Sequence, residues 1–377
     1  MLNVDCVTDF LREHGLIDNS WIIDGSLTIR SAARRNRNLK VEGPRGAGFL
    51  IKQPDNSAEG GFDTLRCEAV FHRFCGEEPA VAPITRILPR LLFSDIAEAV
   101  LVFELIADAG SLGSRLDAGN DQGLTVPAAR ALGHALGTVH RVLSLSDWMQ
   151  DPRLAGLSRA LPWAMLLHKP GPALLASLSA ANFQTVRILQ TDEGLGDRLD
   201  RLARQWRPET VIHGDIKLDN ILVRPPRQER ETAPVELWIA DWETVRIGDP
   251  AWDLAGALQD FLVFWVSSMP VSGELTVEQM IAEARVPLEA LRGAMRALWS
   301  GYRAGAGLGP ADADGLLLRA VSFSAARLIQ SVYEISYEAD RLDGHSVVLL
   351  QIAANLLAEP ELGQVQLYGI PLGWPVL

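Results

Sequence analysis

The chain has 377 residues, of which 48% are hydrophobic and 22% charged, a globular balance that excludes wholesale disorder. Its 35 basic residues against 47 acidic ones leave a net charge of −12. That balance argues against a non-specific nucleic-acid binder, which must neutralise phosphates with many Lys and Arg, and against a polybasic membrane-surface protein.

The length exceeds what one compact core holds, so two lobes are expected. Cys6, Cys67 and Cys75 are the only cysteines and form no CxxC pair, so neither a disulfide framework nor a cysteine zinc site is indicated. The first residues carry Asp5, Asp9 and Glu13, which does not suit a signal peptide. The apolar run Phe261 to Val266 is far shorter than the ~20 residues a bilayer span needs. A cytoplasmic location is the expectation.

In chain order, Ser26 to Arg30 and Gly48 to Gln53 are short apolar runs bounded by turn residues, as strands are. Phe62 to Cys75 repeats Phe62, Leu65, Ala69 and His72 near a helical period, and Arg90 to Phe93 with Ala99 to Ile106 reads as a strand pair. Thr125 and Pro127 open a helix with Leu132, Leu136, Val139 and Leu143 on one face; Gly133 and Gly137 would let a neighbour approach closely. Residues 150 to 205 read as largely helical with Pro and Gly interruptions. Thr210 to His213, Asn220 to Val223 and Val235 to Ala240 form a small β-rich island. Beyond 250 the chain reads as helical again, with a capping-box spacing at Thr276 and Gln279 and a helical repeat at Leu288, Leu291, Met295 and Leu298.

The most informative stretch is His213-Gly214-Asp215-Ile216-Lys217-Leu218-Asp219-Asn220, followed by a strand pair that ends at Asp241-Trp242-Glu243. Phosphoryl transfer from a nucleotide needs a carboxylate to orient the attacking hydroxyl, oxygen ligands for Mg²⁺ on the phosphates, and a cation to position them. Asp215 can supply the first, and Asn220 and Asp241 the second. These motifs in this order resemble the aminoglycoside phosphotransferase family, within the protein-kinase-like superfamily. The resemblance implies that Asp215 is the catalytic base, that Asn220 and Asp241 hold Mg²⁺, and that His213 and Asp253, the latter in Asp249-Pro250-Ala251-Trp252-Asp253-Leu254-Ala255, brace the catalytic loop. Lys217, two residues after the base as in Ser/Thr protein kinases, is expected to touch the γ-phosphate; the plainer expectation is a surface lysine paired with Asp219.

The same resemblance requires a strand Lys and a helical Glu in the first lobe. Lys52 and Glu68 fit by order and spacing, and Glu59 fits less well because it lies in a Gly-rich loop. Backbone groups of Glu104 and Ile106 would meet an adenine. No G-x-G-x-x-G precedes Lys52. Residues 27 to 52 instead hold Arg30, Arg34, Arg35, Arg37, Lys40, Arg45 and Lys52 against the single acid Glu42. Arg34, Arg35 or Arg37 could therefore meet nucleotide phosphates or an anionic substrate, or form a solvated turn.

Other signals carry less. His134 and His140 lie six apart on one helix, which suits packing rather than a metal pair. Trp238, Trp242, Trp252 and Trp265 read as core. No G-x-S-x-G elbow and no Walker motif occurs. The expectation is an α+β, bilobal protein-kinase-like fold: residues 1–105 as a small strand-rich nucleotide lobe, and 106–377 as a large, mainly helical lobe with the catalytic loop and acceptor-binding helices. The function expected is Mg²⁺-dependent transfer of the ATP γ-phosphate to a small-molecule hydroxyl. The alternative is a Ser/Thr kinase of a ribosomal precursor peptide with a partner lyase, a type known within the resembled family. A pseudokinase scaffold fits less, since base, metal ligands and Lys are all present.

Overall fold

The structure, a computed structural model, describes the chain apart from residues 1, 24, 26, 32–36, 55–60, 118–121, 149, 193, 226–234, 273 and 375–377. It divides into two compact units. The first comprises Met1–Asp117, Trp148–Leu157 and Asp219–Val245, and the second Ala118–Asp147, Ser158–Leu218 and Arg246–Leu377.

In the first unit, β1 (Thr28–Ser31), β2 (Leu39–Glu42), β3 (Gly48–Lys52), β4 (Leu91–Asp95) and β5 (Val100–Glu104) form an antiparallel sheet in the order β1-β2-β3-β5-β4. β2 lies inside a stretch whose arginines mark it as a loop; its alternation Leu39-Lys40-Val41-Glu42 buries only the two apolar residues. Neighbouring strand residues point to opposite faces. One face carries Leu39, Val41, Phe49, Ile51, Val100 and Val102 against Val7 and Leu11 of the helix Val7–Glu13. The other carries Leu50, Leu101 and Phe103 against Leu65 and Ala69 of the helix Gly61–Glu77. Each such side chain withdrawn from water contributes about 1.5–3 kcal/mol, so the helix that bears Glu68 is fixed by its own apolar stripe.

The expected β island is divided between the units. β6 (Gly110–Ser111), β8 (Ile221–Arg224) and β9 (Glu236–Ile239) make an antiparallel sheet in the first. β7 (Thr210–Ile212) pairs instead with β10 (Arg246–Gly248) in the second. Sequence proximity suggested one sheet, whereas the hydrogen-bonding partner of Thr210–Ile212 comes from beyond the Asp241 turn.

The second unit is mainly helical. The helix Gln122–Val142 starts three residues before Thr125 and crosses Leu288–Ala306 along a glycine seam. A Cβ on Gly133, Gly137, Gly301 or Gly305 would collide with backbone of the facing helix, which is the close approach expected at Gly133 and Gly137. Gly301→Ala should therefore force the two backbones apart and cost about 2–3 kcal/mol, read as a lower urea midpoint. Residues 150–171 correct the helical expectation: only a short 3₁₀ turn, Trp163–Leu166, occurs there. Pro152, Pro162 and Pro170 each remove a backbone donor, and the regular helix resumes at Pro172. The capping box at Thr276 and Gln279 forms as expected. Cys6, Cys67 and Cys75 form no disulfide. No helix among the described residues is long and apolar enough to cross a membrane.

Candidate active site

In the first unit, Lys52 ends β3 on the sheet face that the Glu68 helix covers. Its ammonium lies 2.8 and 2.9 Å from the two oxygens of Glu68 and 2.6 Å from Asp241 Oδ1. Lys52 and Glu68 are both almost fully buried. Burial opposes the Lys52 charge, but the Glu68 and Asp241 carboxylates outweigh it and raise the pKa, so the ammonium stays charged. The Lys52–Glu68 pairing expected from order and spacing is thus present; Glu59 lies outside the described residues.

Asp241 adopts a left-handed backbone, φ 68° and ψ 54°, at the start of the 3₁₀ turn Trp242–Thr244. An Asp tolerates that region better than most residues because its short side chain bonds locally. Trp242 fixes the turn: its ring stacks on Phe71 at 4.3 Å, its N–H donates to Glu68 Oε1, and its indole donates to the Ile239 carbonyl. Asn220 lies at the same open end of the β8–β9 hairpin, where its carbonyl accepts from Ala240 N–H at 2.9 Å. The hairpin therefore carries Asn220 and Asp241 at adjoining strand ends.

Two hard oxygen donors suit Mg²⁺, which commonly takes one or two protein carboxylates or amides and fills its other positions with water and phosphate oxygens. Among the described residues no group of three or more His, Cys, Asp or Glu would hold a metal by itself. The donor set fits a metal that arrives with a nucleotide.

β5 ends at Glu104. The Leu105 N–H donates to the Gly48 carbonyl at 2.9 Å, whereas the Ile106 N–H has no protein acceptor among the described residues. Arg34 and Arg35 lie outside the described residues. Arg37 is described, and its N–H donates to the Gln53 carbonyl at 3.1 Å, next to Lys52.

In the second unit, the loop after β7 is clamped by one helix, Pro250–Ser267. Asp253 accepts the N–H of His213 at 2.7 Å and of Gly214 at 2.9 Å, and it meets His140 Nε2 at 3.2 Å. Asp260 accepts the Leu218 N–H at 2.6 Å. Seven residues separate the two carboxylates, so they lie two turns apart on one helix face. Gly256 sits between them, and a Cβ there would stand 2.8 Å from the Ile216 carbonyl, so only glycine lets the helix pass this close to the loop.

His213 is fully buried, and its Nδ1 accepts the Asp215 N–H at 3.2 Å. Burial alone would raise the Asp253 carboxyl; His140, His213 and the Gly214 N–H bring it below the ordinary range instead. His140 is more than a packing residue: it links Asp253 to the Tyr302 hydroxyl, 2.8 Å from its Nδ1, across the glycine seam. Trp242, Trp252 and Trp265 are buried core residues, while Trp238 is half-exposed.

Asp215 lies in a closed ring of hydrogen bonds. Arg327 donates to its Oδ1 at 3.0 Å and also to the Ile216 carbonyl. Arg327 donates to Gln330, Gln330 to Glu334, Lys217 to Glu334 at 2.8 Å, and Lys217 lies 3.0 Å from Asp215 Oδ2. Arg327, Gln330 and Glu334 are spaced i, i+3, i+7 on the helix Pro310–Ile335. Burial would push the Asp215 carboxyl up, but the Arg327 guanidinium and Lys217 ammonium hold it at about 2. Burial likewise disfavours the Lys217 ammonium, and Asp215 and Glu334 reverse this and raise its pKa.

Asp260, Arg327, Gln330 and Glu334 escaped sequence reasoning. For Arg327, Gln330 and Glu334 the available signal was a set of polar residues at helical spacing within the otherwise apolar Ser324–Ile335 stretch.

Over 69 residues, 18% of this chain and 8% of the other protein, the sequence is 39% identical to Acyl-CoA dehydrogenase family member 11 of Gallus gallus. The chain thus spans a small part of that relative's length. Among solved structures, it is similar to the macrolide 2'-phosphotransferase MphH of Brachybacterium faecium, at 18% identity, covering 93% of this chain and 98% of that one, with a TM-score of 0.49. It is also similar to ADP-bound aminoglycoside phosphotransferase APH(2'')-Ib, at 13% identity, covering 95% and 99%, with a TM-score of 0.48. These likenesses assign no substrate to this chain. The model of the phosphotransferase enzyme family matches residues 28–298 of the chain. The chain therefore belongs to the phosphotransferase enzyme family.

Proposed function

We propose that the protein transfers the γ-phosphate of Mg-ATP to a hydroxyl of a small cytoplasmic molecule such as an aminoglycoside-like metabolite. Residues 1–105 form the nucleotide lobe, and 106–377 carry the catalytic loop and the acceptor-binding helices. The observation that carries the reading is Lys52 held between Glu68 and Asp241, because a buried cation between two carboxylates has an anion-positioning role to fill.

In this reading Asp241 would be a ligand of the metal, and Lys52, held by Glu68, would face the α- and β-phosphates. Asn220 and Asp241 would hold Mg²⁺, which neutralises charge on the β- and γ-phosphates when bound. The Ile106 N–H and Glu104 carbonyl receive the adenine. Asp215 accepts a hydrogen bond from the acceptor hydroxyl and so aims a lone pair at the γ-phosphorus. Its proton is taken late, as the new oxygen–phosphorus bond forms, because a carboxylate near 2 is a weak base. Lys217, beside Asp215, stabilises charge on the transferred group. His213 and Asp253 keep the loop in shape.

A peptide acceptor with a partner lyase gains no added support. Lys217 is paired with Asp215 and Glu334, and the Arg34–Arg35 stretch lies outside the described residues. Calorimetric titration with ATP checks the metal half. Binding should strengthen when Mg²⁺ is added, and Asp241→Ala should remove that gain. Equal gains in both proteins would refute the assignment of Asp241.

A further inference from the structure

A cleft of about 730 Å³ opens in the first unit on the sheet face opposite Lys52. Phe49 lines it, and Phe49 and Lys52 lie three residues apart on β3, an odd spacing that sends their side chains to opposite faces. The cleft is therefore distinct from the nucleotide position proposed above, although the Glu104–Ala107 segment forms a wall of it.

Its lining is amphipathic. Leu88, Leu92 and Leu105 join Phe49 and Trp21 in an apolar floor, where Trp21 stacks on Phe49 at 5.4 Å. Four arginines, Arg45, Arg86, Arg90 and Arg224, line it against one carboxylate, Glu104. In a chain of net charge −12 that is a local reversal of sign. Arg224 is fixed: it stacks over the Trp238 ring at 4.9 Å, donates to the Ala107 carbonyl and pairs with Glu236. The side chains of Arg45, Arg86 and Arg90 are exposed and make no ion pair or hydrogen bond with any described residue. Arg45 stands on a turn with two successive left-handed residues, φ 58° at Arg45 and 80° at Gly46, which sets it at the mouth of the cleft.

Three uncommitted guanidinium groups around an apolar floor match a particular ligand chemistry. Guanidinium forks bind carboxylate, sulfonate or phosphate oxygens through paired charge-assisted hydrogen bonds. Aromatic and aliphatic walls bury a ring or chain. The volume falls in the ~300–1,000 Å³ range of small-molecule sites. We propose that this cleft is a second ligand site, which takes a small anion carrying an apolar ring or chain. Arg86 and Arg90 grip the anionic group, and the Trp21–Phe49 floor takes the apolar body.

Fluorescence titration with anilinonaphthalene sulfonate, a sulfonate on fused rings, tests this in the full-length protein. The wild type should show one saturable site. The double variant Arg86→Glu with Arg90→Glu should weaken it at least about tenfold, the loss of two charge-assisted contacts. The double variant Arg73→Glu with Arg201→Glu makes the same charge change at exposed residues outside the cleft, and should leave the affinity unchanged. Equal weakening in the two double variants would reduce the effect to diffuse attraction and overturn the site. So would undiminished binding in Arg86→Glu with Arg90→Glu. Thermal unfolding of each variant confirms that these surface changes leave the fold intact.

Discussion

Asp215→Asn is expected to lower turnover at least about 10²-fold, the low end for loss of a general base, with ATP affinity unchanged. Asn keeps the volume of Asp but presents one carbonyl oxygen and one NH₂ group. It can no longer accept from Arg327, Lys217 and an acceptor hydroxyl together. The nucleotide contacts assigned to Lys52, Glu68 and Asp241 are made by other side chains, so binding and turnover should part company. Steady-state kinetics with the nucleotide varied separates them, and a raised KM for ATP at undiminished kcat would contradict the role. The variant also leaves a buried guanidinium less well paired, so a thermal midpoint somewhat below wild type is expected.

Arg327→Met is expected to destabilise the second unit by about 3 kcal/mol, the low end for breaking a buried ion pair because Lys217 still faces Asp215. Its sharper signature is in pH. In the wild type Asp215 falls from an ordinary 3.8 to about 2. A depressed carboxylate contributes stability that is present above the unfolded value and is lost as pH falls through the folded one. The wild type should therefore lose this contribution only as pH drops from about 4 toward 2. Its activity should show no acidic limb from Asp215 at moderately acidic pH. With Arg327 gone, burial acts against Lys217 alone and the Asp215 value rises, so an acidic limb in kcat/KM moves up into the measurable range. A Met variant with less stability and an unshifted profile would make Arg327 a packing residue only. Arg327→Lys should recover part of the shift, since it restores the charge without the forked geometry.

How much of this was legible depends on where the chemistry lies along the chain. The octet from His213 to Asn220 carries its donors and acceptors within a few residues, and Asp241 follows at the end of the next hairpin. Strand, turn and carboxylate could thus be read together. Lys52 and Glu68 were legible as an order of elements, with the apolar periodicity of the Glu68 helix fixing which way its carboxylate faces. Arg327 and Glu334 were not, because they lie more than a hundred residues from the loop they hold. A helical period says which residues share a face and nothing about what that face meets. Asp260 was hidden for the same reason, although its spacing from Asp253 placed both on one side of one helix. Arginine content hid β2, whose burial alternates beneath the charge. Helical composition in the 150–171 stretch lost to its prolines.

The central claim is phosphate transfer that depends on Asp215. Mass spectrometry of a panel of hydroxyl-bearing acceptors, including aminoglycosides, incubated with ATP and Mg²⁺ tests it most directly. The wild type should add one phosphate to an acceptor, and Asp215→Asn, shown to be folded and to bind ATP, should add none on the same time scale. Equal phosphorylation of the same acceptor by the two proteins would contradict the account.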